Sequence, residues 1–532
     1  MNAVLRSLGK SALTTPALAL LLLPALLAVV SCRRQEIPEV QETLTEGRNT
    51  FIYGIEGDPG NDINTITIGD RYGLTLERLL YSPLYNYYGP GDISYLLAEK
   101  VDLSDDNLTV TFHLRRGVKW SDGVPFTADD VIFTFEHIIK AEYANGRDGF
   151  VIGGKPVTLT KSDDYTVEIR YPVFIPNVLE LAAAEHFIMP KHIYENDATL
   201  DNNPKNAAPV GTGPYKLAEY AAGQYVRLTA NDNYFLGKPK IPAIVFQIVS
   251  DLNSAKLALQ KGEINALVLA NSDADSFKNT NVSIHAYPED RVGYLSFHLA
   301  SSRVQDINLR KAVFFALNRD EMNTGAYLSP DFYVNAYSFL PYSSAYFTGD
   351  LEKYEQDADK ARQYLAQASS APLLRLAYAA NNIQQEVQAL VAQQNLKASG
   401  ITLELIAMDS TSLYDKLEKG TGEFELFLGG YIMGIDPSNY ATLFVSGSAY
   451  NYSHLADKTL DALFAQGAVE EDPAARLRIY QDAQRRLADL AVHYPIVTNK
   501  RLLGITSNIG GVEEARLIPI YTFEDMSKLY FK

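Results

Sequence analysis

From Phe51 onward the chain switches between two hydrophobic periods, with no internal repeat and no low-complexity tract. Leu108, Val110, Phe112 and Leu114 alternate with Thr109, Thr111 and His113, and Tyr165, Val167, Ile169 and Tyr171 alternate with Thr166, Glu168 and Arg170. A period of two puts one face on a core and the other in water, so both stretches predict half-buried strands. Between them Thr127-Ala128-Asp129-Asp130 predicts a capped helix start, with Asp130 in the third helical position. Val131, Phe135, Ile138 and Ile139 then recur at i, i+4, i+7 and i+8, the stripe of one buried helix face.

After Arg291 the texture changes. Leu309, Val313, Ala316 and Leu317 mark one amphipathic helix, and Ile383, Val387, Leu390 and Val391 mark another that stops at Gly400. Ile401, Leu403 and Leu405 follow as a strand, Leu413 and Leu417 as a helix ending at Gly420, and residues 423–428 as a further strand. That alternation predicts an α/β lobe with a largely parallel sheet. Two lobes of different texture predict a cleft between them, the place to look for a ligand.

The first 47 residues do not join this pattern. Arg6 and Lys10 precede an apolar run over residues 17–30 that is interrupted only by Pro24. A stable membrane span needs about 20 residues, so the run predicts a secretory signal peptide over residues 1–31. The single cysteine, Cys32, lies directly behind it in Leu27-Ala28-Val29-Val30-Ser31-Cys32, which resembles a bacterial lipobox and marks Cys32 as the lipidation site. The polar stretch that follows has no period and predicts a flexible tether over residues 32–47. A lipidated cysteine with a tether describes a body held at the outside of a membrane, in the periplasm or at the cell surface.

Composition narrows the function classes. The chain has 532 residues, 47% of them hydrophobic and 21% charged, a globular composition. Its net charge of −17 would repel phosphate backbones, which disfavours nucleic acid as a partner. One cysteine allows no intrachain disulfide and no cysteine-built metal cluster. No nucleophile elbow, zinc-protease helix, phosphate loop or dinucleotide fingerprint occurs, so no catalytic residue, no metal site and no cofactor is expected, and an enzyme is disfavoured. His186 and His192 flank Phe-Ile-Met-Pro-Lys across a proline and share no helical face; His137 flanks the apolar stripe of its helix. Asp105–Asp106, Asp129–Asp130 and Asp163–Asp164 sit where turns and helix caps want them. The positive signal is 34 tyrosines, residues that offer flat apolar area with a hydrogen-bonding tip and are favoured at recognition surfaces. The run Tyr81-Ser82-Pro83-Leu84-Tyr85-Asn86-Tyr87-Tyr88 stands out.

The order of segments resembles the extracellular solute-binding proteins of family 5, the peptide- and nickel-binding components of ABC importers. The resemblance is carried by DLSDDNLTVTFHLRRGVKWSDGVPFTADDVIFTF (residues 102–135), PVGTGPYKL (209–217), NDNYFLGKPKIPAIVFQIVSD (231–251), ALQKGEIN (258–265) and DINLRKAVFFALNRDEM (306–322). It implies an α/β, two-lobed periplasmic-binding-protein-like fold of the class II, large oligopeptide-binding type, with three domains and a hinge. Domain I would combine residues 48–90, 209–290 and 500–532, domain II would be the insertion 91–208, and domain III would be 291–499. Two strands would cross between lobes near Asp290 and Asn499. A monomer would enclose a peptide or peptide-like solute and deliver it to an ABC permease in the membrane.

In peptide-binding members an aspartate soon after a Gly-Trp pair takes the peptide ammonium. The matching stretch here is Gly429-Gly430-Tyr431-Ile432-Met433-Gly434-Ile435-Asp436-Pro437, with Tyr431 in the tryptophan's place and Gly434 where that aspartate would be. Tyr431, Ile432 and Met433 are expected at the ligand, with Tyr81 and Ser82 from the opposite lobe, the alternative for each being simple packing, and the capture of a free N-terminus stays open. The rival readings are a secreted hydrolase or peptidase on the same scaffold, a surface adhesin or sensor without a transporter, and a same-family receptor for a nickel chelate or sugar.

Overall fold

The computed structural model describes residues 49–532 apart from 90, 184–185 and 370–372. The expected signal peptide, Cys32 and the tether lie outside the described residues. Two strands, Val282–Phe297 and His493–Thr506, pair antiparallel over most of their length. Sixteen residues span about 50 Å, roughly three times an ordinary strand, so each strand is long enough to serve two cores.

Buried side chains divide at this pair. One core gathers Phe51, Tyr53, Leu76, Phe112, Val167 and Phe246 and meets the long strands at Tyr287 and Leu503. A smaller cluster of Leu259, Leu267, Val282 and Leu502 lies on the same side of the crossing, and the core on the far side begins at Val292 and ends at Val497, enclosing Leu309, Val313, Leu396 and Leu428. These are the two lobes, and among the described residues the chain passes between them along the two long strands. Between Pro288, opposite Lys500, and Val292, opposite Thr498, the register shifts, so Glu289, Asp290 and Arg291 together face Asn499. Asp290 takes a left-handed φ of +53° in this bulge. The crossing point is thus also where the ladder is interrupted.

One mixed sheet of eleven described strands runs through both lobes. In the first lobe Thr50–Ile55 lies parallel to Ala243–Ile248 and Ala266–Leu269. In the second, Leu374–Ala379 lies parallel to Leu403–Met408 and Leu426–Tyr431, while the long strands bind antiparallel. The expected largely parallel sheet holds for those three strands and fails where they meet the hinge. The strand expected over residues 423–428 begins three residues later and continues through Gly429 and Gly430, which pair with Tyr294 and Gly293.

A separate four-stranded antiparallel sheet contains the two alternating stretches, observed as Thr109–Leu114 and Thr166–Arg170. The helix Ala128–Lys140 starts with the expected capping box: the Thr127 side chain accepts from the Asp129 amide at 3.3 Å, and the Thr127 amide donates to Asp130 at 2.9 Å. Gly211 and Gly213 let the chain lie against the end of the helix Arg71–Leu80. A Cβ at 211 would fall 1.8 Å from the Leu80 carbonyl oxygen, and the Gly213 amide donates to that oxygen at 2.9 Å.

Candidate functional site

The bulge opens onto a cavity of about 610 Å³ between the lobes. Leu267, Leu269 and Asn271 wall it from the first lobe, Tyr327, Asn382 and Gln388 from the second, and Glu289, Arg291 and Asn499 from the crossing strands. Gly429 also lies on its wall. There the strand Leu426–Tyr431 has a free edge, because its ladder with Leu374–Ala379 stops after Leu426 and Phe427. Free main-chain donors and acceptors beside neutral amide side chains suit an extended, amide-bearing solute.

A smaller cavity of about 270 Å³ lies between Tyr87, Tyr88 and Glu180 of the first lobe and Ser343, Tyr346, Ile435 and Asp436 of the second. Beside it the lobes touch. Glu180, on the short helix Val178–Ala183, accepts from Asn439 Nδ2 at 3.4 Å and from the backbone amides of Ile435 and Asp436. Its Oε1 stands 3.1 Å from where a Cβ on Gly434 would be, and Gly434 has a φ of +76°. Burial pushes the Glu180 carboxyl up to about 7, and the neighbouring Asp436 charge adds to the effect. Asp436 itself is taken: Arg476 holds both its oxygens at 2.8 Å, and it caps Pro437–Tyr440 through the Ser438 amide at 2.9 Å. It is a structural residue.

The structure does not bring the five expected ligand residues together. Tyr431 is a core side chain: its hydroxyl donates to the Phe339 carbonyl at 3.0 Å, and its ring packs beside Tyr294, Tyr440 and His493. The reason is register, since Tyr431 shares a sheet face with Gly429, whose cross-strand neighbour is Tyr294. Met433 packs against the same core, whereas Ile432 is exposed. Tyr81 and Ser82 are buried and line a different cavity of about 420 Å³ within the first lobe. From the same tyrosine run, Tyr85 is core, with its hydroxyl on the Leu179 carbonyl at 2.6 Å, and Tyr87 and Tyr88 reach the interlobe cavity.

Glu180 and Arg291 carry no sequence motif. The one signal for Arg291 is the run Glu289-Asp290-Arg291, three charges in a stretch that is otherwise strand. The histidines go separate ways. His186 packs against Phe150 and burial lowers it to about 4, whereas His192 reaches Asp122 at 2.8 Å. Among the described residues no three His, Cys, Asp or Glu side chains form a group that could hold a metal ion, and no helix is long and apolar enough to cross a membrane.

Two outcomes follow from this geometry. Tyr431→Ala is expected to cost about 3–5 kcal/mol of stability in a denaturant titration, as for a buried aromatic; an unchanged midpoint would return Tyr431 to the solute. The raised Glu180 means that the folded chain holds a proton which the unfolded chain releases at about 4.3. Its contribution to stability therefore falls as pH rises between those values and stays lost above 7. Glu180→Gln is expected to melt above the wild type at pH 8, with the gap closing as pH is lowered towards 4.5. A gap that does not change with pH contradicts the assignment.

The comparisons with known proteins agree with this architecture. Residues 92–452 match the family of bacterial extracellular solute-binding proteins, family 5. The oligopeptide-binding protein AppA of Bacillus subtilis is 26% identical, covering 82% of this chain and 84% of its own. The dipeptide-binding protein of Escherichia coli is 27% identical over 83% of this chain and 88% of its own. The ABC transporter substrate-binding protein CtaP of Listeria monocytogenes superposes with a TM-score of 0.86 at 38% identity, covering 91% of this chain and 99% of that one. Two lobes on a shared pair of strands, with a polar cavity at their crossing, are thus the frame of a solute-binding protein, and the chain belongs to family 5 of the bacterial extracellular solute-binding proteins.

Proposed function

We propose that the protein is the receptor of an ABC importer and takes peptides into the cavity between its lobes. The observation that carries the reading is the free edge of Leu426–Tyr431 on a cavity of about 610 Å³ lined by Asn271, Asn382 and Gln388. A peptide in extended form satisfies such an edge with its own amides, whatever its side chains. Relatives named for oligopeptide and dipeptide binding support the same class of solute. Closing the lobes over the solute, then presenting it to a permease, is a shift between two populations, favoured by contacts made only when shut.

The same proposal includes the three-domain division at residues 48–90 with 209–290 and 500–532, 91–208, and 291–499. It also includes a monomer anchored outside the membrane through Cys32. Retention of a Cys32→Ala chain in the membrane fraction would contradict that anchor. The family is one of solute-binding proteins, which supports a receptor over a hydrolase.

A pool of synthetic tri- to hexapeptides is expected to raise the melting temperature. A ligand at 100 times its Kd adds about 2.7 kcal/mol. Stabilisation by sugars or metal chelates with none by any peptide pool would contradict the peptide reading, and peptides recovered cleaved would contradict the receptor reading.

A further inference from the structure

Four cations line the larger cavity of a chain whose net charge is −17: Lys256, Arg291, Lys500 and Arg501. Three of them are engaged. Lys256 lies 2.8 Å from Asp273, and Lys500 donates to the Asp331 carbonyl at 3.0 Å. Arg501 is 3.8 Å from Glu289, a carboxylate that also accepts from Arg71 and Asn499 at 2.8 Å each. Arg291 has no carboxylate or carbonyl partner among the described residues. Its neighbour Asp290 accepts from Ser343 at 3.2 Å instead.

The guanidinium has a shaped seat. Gly293 and Gly430 face each other across two paired strands, and Arg291 lies over both. A Cβ on Gly430 would fall 2.1 Å from the guanidinium carbon, and one on Gly293 would lie 3.8 Å from Nη1. Any side chain at 430 would evict the head group. A guanidinium keeps its charge throughout the biological pH range and offers a planar fork of donors that fits a carboxylate in two places. Held half-buried with that fork unused, it is complementary to an anion that the protein does not supply.

We infer that Arg291 is the subsite for a carboxylate of the solute. The inference deepens the peptide reading above and rests on it: a peptide would lie along the free strand edge with a carboxylate on the glycine-seated arginine. The carboxylate can be the C-terminal one or an acidic side chain, and the test separates the two sources.

Titration calorimetry on the full chain would use three pools of tri- to hexapeptides: free acids without acidic residues, the same peptides C-terminally amidated, and amidated peptides carrying one glutamate. The free acids are expected to bind roughly 10- to 100-fold tighter than the amides, the range for hydrogen bonds to a charged group. Arg291→Gln is expected to bring that ratio close to one. Gly430→Ala should do the same with little change in melting temperature, because what it displaces is the free end of a flexible side chain. If the glutamate pool binds as tightly as the free acids, the side chain can serve as source; if it binds like the plain amides, the terminus is read. Equal binding of free acid and amide by the wild type, or a ratio that survives Arg291→Gln, overturns the inference. Should no peptide pool bind, the peptide reading fails by itself, and N-acetyl amino acids and dicarboxylates then decide on Arg291. Binding of these that Arg291→Gln abolishes supports the subsite, and no binding sinks it.

Discussion

Everything in this molecule turns on two strands being shared by two cores. Val282–Phe297 and His493–Thr506 are hydrogen-bonded to each other and packed at both ends, so neither lobe can shift without bending them. A continuous ladder would resist that bending. The interruption at Glu289, Asp290 and Arg291 removes pairing where the bend must fall, and two of these charged side chains, Glu289 and Arg291, border the cavity rather than a core. Hinge and cavity therefore share residues: Glu289 and Arg291, released from the ladder, line the cavity, while Asp290 turns to Ser343.

The electrostatics divide along the same line. Within the second lobe two pairs have buried carboxylates, Asp436 with Arg476 and Glu425 with Arg375 at 3.0 Å. Removing one member of such a pair strands the other charge in a poorly solvated place, which makes these pairs fixtures of the fold. Two charges between the lobes are treated differently. Glu180 reaches across to main-chain amides and an asparagine, and Arg291 rests on glycines. Those contacts are neutral on one side, so they can be exchanged when the lobes part or a solute arrives.

Local structure was legible in the sequence because it is set by neighbours. The alternations around Phe112 and Val167 became strands, and Thr127 with Asp130 closed the capping box. Gly400 and Gly420 ended their helices with φ of +83° and +62°. Where the sequence misled, the determinant was distant. Gly429-Gly430 looks like a stop, yet pairing with residues 293–294 keeps both in a strand. Tyr431 looks like a ligand anchor, yet Tyr294 and His493 claim its ring. Glu180 and Arg291 acquire meaning only through residues far away in the chain, Ile435 with Asn439 for the first and Gly430 for the second. A single sequence carries no trace of such pairings. The family resemblance supplied the frame and showed the departure at Gly434, but what stands beside Gly434, the Glu180 carboxylate, had to be read from the folded chain.

On this reading the lobes move about the crossing strands and shut on a peptide. The most direct measurement is the distance distribution between spin labels on two exposed positions, Glu142 in the first lobe and Glu471 in the second, in a chain with Cys32 replaced. With peptide the account requires one narrow population, and without it a broader or displaced one, so that the distribution responds to ligand. An identical distribution in both conditions, with peptide shown to be bound, would mean that the solute sits elsewhere or that the two bodies do not move, and either result contradicts the account.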